Sequence, residues 1–134
     1  MLWTCPALAA DVQASGDLTI HVTGMRNTSG CVVIALADSE RSFLGKGPAY
    51  AQIRTRIHGP ETVVTLRGIP WKEYAISVFH DENANGTLDR NMKGIPKEAY
   101  GYSNNVRGKH GPPSYGMSRF SFHSQARTVT ISIH

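Results

Sequence analysis

Apolar residues in this 134-residue chain recur with a period of two, and no run repeats at helical spacing for as long as three turns. Side chains alternate across a strand, so each such run has one face to bury and must find a second layer against which to bury it. Leu18, Ile20 and Val22 alternate with Thr19, His21 and Thr23. Residues 31–38 are apolar on both faces, which predicts an interior strand. Residues 51–58 and 61–68 predict two strands joined as a hairpin across Gly59-Pro60, with Arg54 and Arg56 facing solvent opposite Ile53 and Ile57. A turn is expected at residues 68–73 around Pro70, which fixes its own backbone and biases Ile69 to extended geometry. Residues 72–81 form the clearest pattern: Tyr74, Ile76, Val78 and His80 share one face, and Ala75, Ser77, Phe79 and Asp81 the other. Phe120 with Phe122, then Val129, Ile131 and Ile133, complete the set. The expected fold is therefore all-β: a seven-stranded, two-sheet antiparallel sandwich with one long irregular loop, a small barrel being the alternative.

The length suits one domain, expected over residues 11–134. Ala7-Leu8-Ala9 gives residues 1–10 the look of a truncated signal-peptide remnant, which predicts a periplasmic or extracellular protein. No apolar run approaches the length of a transmembrane helix, so the mature domain is expected to be soluble. Cys5 and Cys31 form no disulfide framework, and Cys31 reads as a small hydrophobe within a strand. The formal net charge is +4, and between residues 90 and 127 Arg90, Lys93, Lys97, Arg107, Lys109, Arg119 and Arg127 face only Glu98. Residues 39–49, with two glycines and a proline, predict a connection anchored by Phe43 and Leu44.

Residues 81–89, DENANGTLD, stand between the clearest strand and a segment without periodicity that ends near Tyr115. Oxygen-bearing side chains at Asp81, Asn83 and Asn85, the carbonyl of Thr87, and Asp89 match the alternate-position ligands of a calcium loop, and Gly86 allows its turn. Met92 stands where an EF-hand needs a bidentate glutamate, and a strand precedes the loop, so the EF-hand form is excluded. Glu82 or Glu98 is available to complete a different shell. The same short side chains also close a turn by bonding to nearby backbone, with no ion. Calcium is the one cofactor suggested.

His80 beside Asp81 raises an acid-base alternative, a small hydrolase-like enzyme with Ser103, Ser114 or Cys31 as nucleophile, although none lies in a recognisable nucleophile context. The preferred role for His80 is structural, donating to a carbonyl of the long loop; Gly86, Pro96 and Glu98 are also read as structural. His21, His58, His80, His110, His123 and His134 are too scattered in sequence to predict a metal cluster. Lys93, Lys97, Arg107 and Lys109 interleave with Tyr100, Tyr102, Tyr115 and Asn104-Asn105, a composition suited to a surface that binds a protein, an anionic glycan or an anionic surface by stacking and charge. Nucleic acid is not expected as a partner, because no nucleic-acid module is present.

The run YAISVFHDENANGTLDRNMKGIPKEAYGYSNNVRGKHGPPSYGMSRF, residues 74–120, resembles the bacterial family known as domain of unknown function 2141. The matching positions are His80, Asp81, Asn83, Asn85, Gly86, Leu88 and Asp89; Gly94 to Glu98; Gly101, Ser103, Asn104 and Asn105; and Pro112 or Pro113. Ala84 departs from the pattern, standing where a glycine is usual. The resemblance implies a secreted or periplasmic β-sandwich, transthyretin-like or immunoglobulin-like, without an established activity.

Overall fold

The structure, a computed structural model, describes residues 14–57, 59–85, 98–108 and 112–134. Among them are eight strands: β1 (Ser15–Thr23), β2 (Cys31–Ala37), β3 (Ala51–Arg56), β4 (Glu61–Pro70), β5 (Lys72–Asp81), β6 (Tyr100–Tyr102), β7 (Phe120–Phe122) and β8 (Ala126–Ser132). Two one-turn helices, α1 (Glu40–Phe43) and α2 (Tyr115–Ser118), join them, each N-capped by a serine, Ser39 and Ser114. The strands form two open sheets rather than a small barrel. One has the order β4-β1-β8 and the other β3-β2-β5-β6, with β7 also paired to β5.

The alternating residues do what their period requires. Leu18, Ile20 and Val22 of β1 and Val129 and Ile131 of β8 join Val32, Ile34 and Leu36 of β2 and Tyr74, Ile76 and Val78 of β5 in one core shared by both sheets. β2 is an interior strand between β3 and β5, and nearly all its side chains on both faces are buried.

The structure differs from expectation in five places. β3 and β4 are not a hairpin: β3 pairs with β2 and β4 with β1, so the chain at Gly59-Pro60 crosses between sheets. Buried Ile57 sits at the crossing, and Gly-Pro lacks the positive-φ pair that a two-residue hairpin turn favours. β8 runs parallel to β1, so the set is not wholly antiparallel. Alternation records which face is buried and carries no information on the neighbour or its direction. The turn expected at 68–73 shrinks to a corner at Trp71, because β4 continues through Pro70, where an edge strand tolerates the missing N–H. Finally, β6 lies inside the segment read as a loop; three residues are too few to show a period. Leu44 is no anchor either, being 49% exposed, whereas Phe43 is partly buried.

β6 also ties the two sheets together. The amides and carbonyls of Tyr100 and His134 exchange bonds of 3.4 and 3.2 Å just beyond β8. Gly101 makes this approach possible, since a Cβ there would lie 2.8 Å from the Ser132 carbonyl and 3.1 Å from Ile131 and Ile133 side-chain carbons.

Tyr74, wholly buried, donates its hydroxyl to the Pro70 carbonyl at 2.6 Å and meets the Tyr50 ring edge-on. Burial first, then the neighbouring Tyr50 and Asp38, push its pKa up to about 12 from 10.0. The folded protein keeps this proton while the unfolded chain loses it, so the stabilisation is full below pH 10 and is lost as pH rises toward about 12. Denaturant melts across this window should show stability falling by up to about 1.4 kcal/mol per pH unit, with a shallower fall in Tyr74→Phe.

Candidate functional site

β5 ends among β2, the loop at residues 24–30 and the turn at residues 82–85, and this end gathers His80, Asp81, Asn83, Asn85 and Glu98 of the polar residues singled out from the sequence. His80 and Asp81 point to opposite faces yet both are fully buried. His80 lies on the core face, opposite Val32, and its Nε2 bonds the Ser29 carbonyl at 2.8 Å. A carbonyl only accepts, so Nε2 carries the proton. The imidazole therefore locks the β1–β2 loop and not the long loop as expected; it is the His80 backbone amide that holds the other segment, bonding the Ala99 carbonyl at 2.9 Å.

Asp81 points into the turn. Its Oδ1 accepts from the Asn85 amide at 3.1 Å, and Asn83 Oδ1 reaches the same amide at 3.3 Å. The Ala84 amide bonds the Asp81 carbonyl, and Ala84 itself has φ 56°. Arg54 of β3 closes the other side, with Nη2 3.7 Å from Asp81 Oδ2 and donating to the Ala84 carbonyl at 2.9 Å. Glu98, a nearly buried carboxylate, accepts from the Glu82 amide at 2.7 Å. The Glu82 carboxylate is taken by Asn27 at 3.0 Å and Arg26 at 3.5 Å. Of the calcium-loop residues, Asp81 and Asn83 thus bring side-chain oxygens to the Asn85 amide, while Thr87 and Asp89 lie outside the described residues, as do Gly86, Pro96, Lys93, Lys97, Lys109 and residues 1–10. Among the described residues, no three His, Cys, Asp or Glu side chains come together as metal ligands, and no helix is long and apolar enough to cross a membrane.

The residues imagined as nucleophiles are engaged structurally. Ser103 is buried, accepts from the Ile76 amide at 2.9 Å and donates to the Ser118 carbonyl. Ser114 Oγ caps α2 by accepting from the Met117 amide at 3.2 Å. Cys31 is a buried free thiol, as its strand position implied.

The residues expected to form a binding surface divide into two groups. Asn104 and Asn105, both at positive φ, turn their amides onto backbone. Asn104 donates to the Met117 and Arg119 carbonyls at 3.0 and 2.9 Å, and Asn105 accepts from the Ser132 amide at 2.9 Å. Arg107 lies 4.3 Å over the Tyr100 ring and donates to the His134 carbonyl at 2.7 Å. Tyr102 and Tyr115, by contrast, flank Phe43 of α1, each ring centroid 5.9 Å from the Phe43 centroid. Burial raises the Tyr115 phenol above its ordinary pKa. Leu44 and Met117, 49% and 48% exposed, lie next in sequence to Phe43 and within α2. Phe43 was read only as an anchor and Arg54 only as solvent-facing; no local pattern in the sequence marks either contact.

A family model described as "Uncharacterized protein conserved in bacteria (DUF2141)" matches residues 20–130. No curated protein matches the chain, and no solved structure matches it.

Two backbone positions at the β5 end call for opposite substitutions. Gly30 has φ +70°, and a Cβ there would stand 2.0 Å from the Asp81 carbonyl oxygen, so Gly30→Ala should destabilise by at least about 2 kcal/mol in urea melts. Ala84→Gly, relieving a left-handed alanine at some cost in chain entropy, should stabilise by about 0.5 kcal/mol in the same measurement.

Proposed function

The chain belongs to the bacterial DUF2141 family, whose model covers most of its length, and from that premise we propose that it is a binding module built on a β-sandwich of the transthyretin-like or immunoglobulin-like kind, working in the periplasm or outside the cell. The observation that supports binding is the ring cluster of Phe43, Tyr102 and Tyr115. Each ring is only partly buried, and the backbone beneath is pinned by Ser103 and Asn104 through β5, α2 and Arg119. Rings held in this way offer stacking area at little cost in ordering. The partner is a protein, an anionic glycan or an anionic surface, contacted through aromatic faces and the basic side chains of the 90–127 segment. In co-sedimentation with polygalacturonate and with phosphatidylglycerol vesicles, the protein should bind one of the two, and Tyr102→Ser with Tyr115→Ser should weaken that binding about tenfold or more. Retention unchanged in the double variant overturns the reading, and binding to neither probe overturns the glycan and anionic-surface partners.

A calcium ion held by Asp81, Asn83, Asn85, Thr87 and Asp89 is the second element of the proposal, supported by the spacing of these oxygens and by the nearness of the Asp81 and Asn83 side chains within one turn, where it would compete with the Asn85 amide for them. Its role would be stability: two negative side chains and the turn's oxygens would bind it weakly and hold the start of the long segment. Arg54 supplies a competing positive charge at Asp81. The melting temperature should rise with about 10 mM calcium and not with magnesium, and the rise should vanish in Asp89→Asn; no shift excludes the ion.

A further inference from the structure

A cavity of about 560 Å³ opens beside the end of β3, between that strand, the loop at residues 28–31 and Ala84. We propose that this cavity is a binding site for a small organic oxyanion, a carboxylate or phosphate monoester on a body about the size of a monosaccharide. The site lies at the β5 end of the molecule and is independent of the ring cluster around Phe43.

The cavity is lined by Arg54 and Arg56. They stand two residues apart on one strand, so both guanidinium groups leave the same face, about 7 Å apart at their Cα atoms. Arg54 is held in place by the Ala84 carbonyl at 2.9 Å and by Asp81, 3.7 Å away. Arg56 has no hydrogen-bond or carboxylate partner among the described residues and is exposed. Arg54 and Arg56 are the charged residues of the lining, and the carboxylates described at this end, Asp81, Glu82 and Glu98, are engaged by Arg54, by Arg26 with Asn27, and by the Glu82 amide. Arg56 is thus the cationic lining residue open to a ligand.

The walls suit an organic body more than a bare ion. Cys31 and Ile57, 6% and 5% exposed, give the cavity an apolar side against which the carbon skeleton of a ligand can pack. The hydroxyls of Thr28 and Thr55, which also line the cavity, have no intramolecular partner among the described residues and can serve a polar ring. The volume falls within the range of small-molecule sites and exceeds what an inorganic anion fills. A planar guanidinium free of other partners takes a carboxylate or phosphate through two parallel N–H donors, which gives orientation as well as attraction.

Amide chemical shifts recorded during titration with glucuronate, glucose 6-phosphate and neutral methyl glucoside test the assignment. The expected result is that one or both anions shift Gly30, Cys31 and Arg54 to Arg56, saturating with Kd of about 1 mM or lower, while the glucoside does not. Response to glucuronate alone assigns the carboxylate class, and response to glucose 6-phosphate alone the phosphate class. Arg56→Ala should weaken binding about tenfold or more with an unchanged melting temperature, Arg56→Lys should recover part of it, and raising the salt to about 0.5 M should weaken the wild-type complex. Tyr102→Ser with Tyr115→Ser should leave it intact, which separates this site from the ring cluster. No shift at about 20 mM of either anion, equal binding of the glucoside, or undiminished binding in Arg56→Ala overturns the proposal.

Discussion

Asp81 carries a side chain with no exposure to solvent at the point where the central strand ends, and the surrounding loops are arranged around it. An isolated buried carboxylate is costly, so its position is tenable only with donors and a counter-charge in place. The Asn85 amide supplies a donor from the same turn, and Arg54 supplies the charge from β3, two strands away in the sheet. Gly30 brings the β1–β2 loop against the Asp81 carbonyl, close enough that no side chain fits between them. His80 fastens that loop from the core side through Ser29. Four segments of chain, the end of β5, the turn after it, β3 and the β1–β2 loop, thus meet at one strand end, and the apolar core lies directly behind them.

The opposite problem, a stretch with little regular structure of its own, is solved by three consecutive side chains. Buried backbone groups need partners whether or not a strand provides them. Ser103 serves the Ile76 amide of β5 and the Ser118 carbonyl of α2, Asn104 serves two carbonyls around α2, and Asn105 serves the Ser132 amide at the end of β8. Asn104 and Asn105 reach these positions from left-handed backbone, a conformation asparagine tolerates better than most residues. Residues with the composition of a polar loop therefore work as an internal clamp.

Much of the fold was legible because burial on one face writes itself into alternation. β1, β2, β5 and β8 are found where Leu18, Val32, Ile76 and Ile131 announce them. Pairing was not legible. β3 and β4 share the length and pattern of a hairpin, yet each completes a different sheet, and the parallel alignment of β1 with β8 joins strands more than a hundred residues apart in the chain. The site divides along the same line. Local geometry at Asp81, Asn83 and Asn85 could be read from their spacing, since an Asx turn involves only residues close in sequence. The Arg54 contact, the Ser29 acceptor for His80 and the tilted packing of Phe43 against two tyrosines depend on tertiary placement, about which spacing says nothing.

The two ends of the molecule have consequently acquired different chemistry from one strand order. At one end, β2, β3 and β5 align Cys31, Arg56 and Asp81 in register, so charge collects beside an apolar wall. At the other, α1 and α2 bring Phe43 and Tyr115 together and Tyr102 extends the cluster from β6, so aromatic surface collects with the exposed Leu44 and Met117 close by in the chain. Both collections rest on β5, which pairs with β2 on one side and with β6 and β7 on the other. A change that shifts β5 by one residue would exchange the core face for the outer face along its whole length, moving Asp81 into the core and His80 out of it. The buried Asp81–Arg54 pair opposes that slip more strongly than apolar packing alone, because a carboxylate placed among Val32, Ile34 and Ile76 would have neither charge partner nor donor.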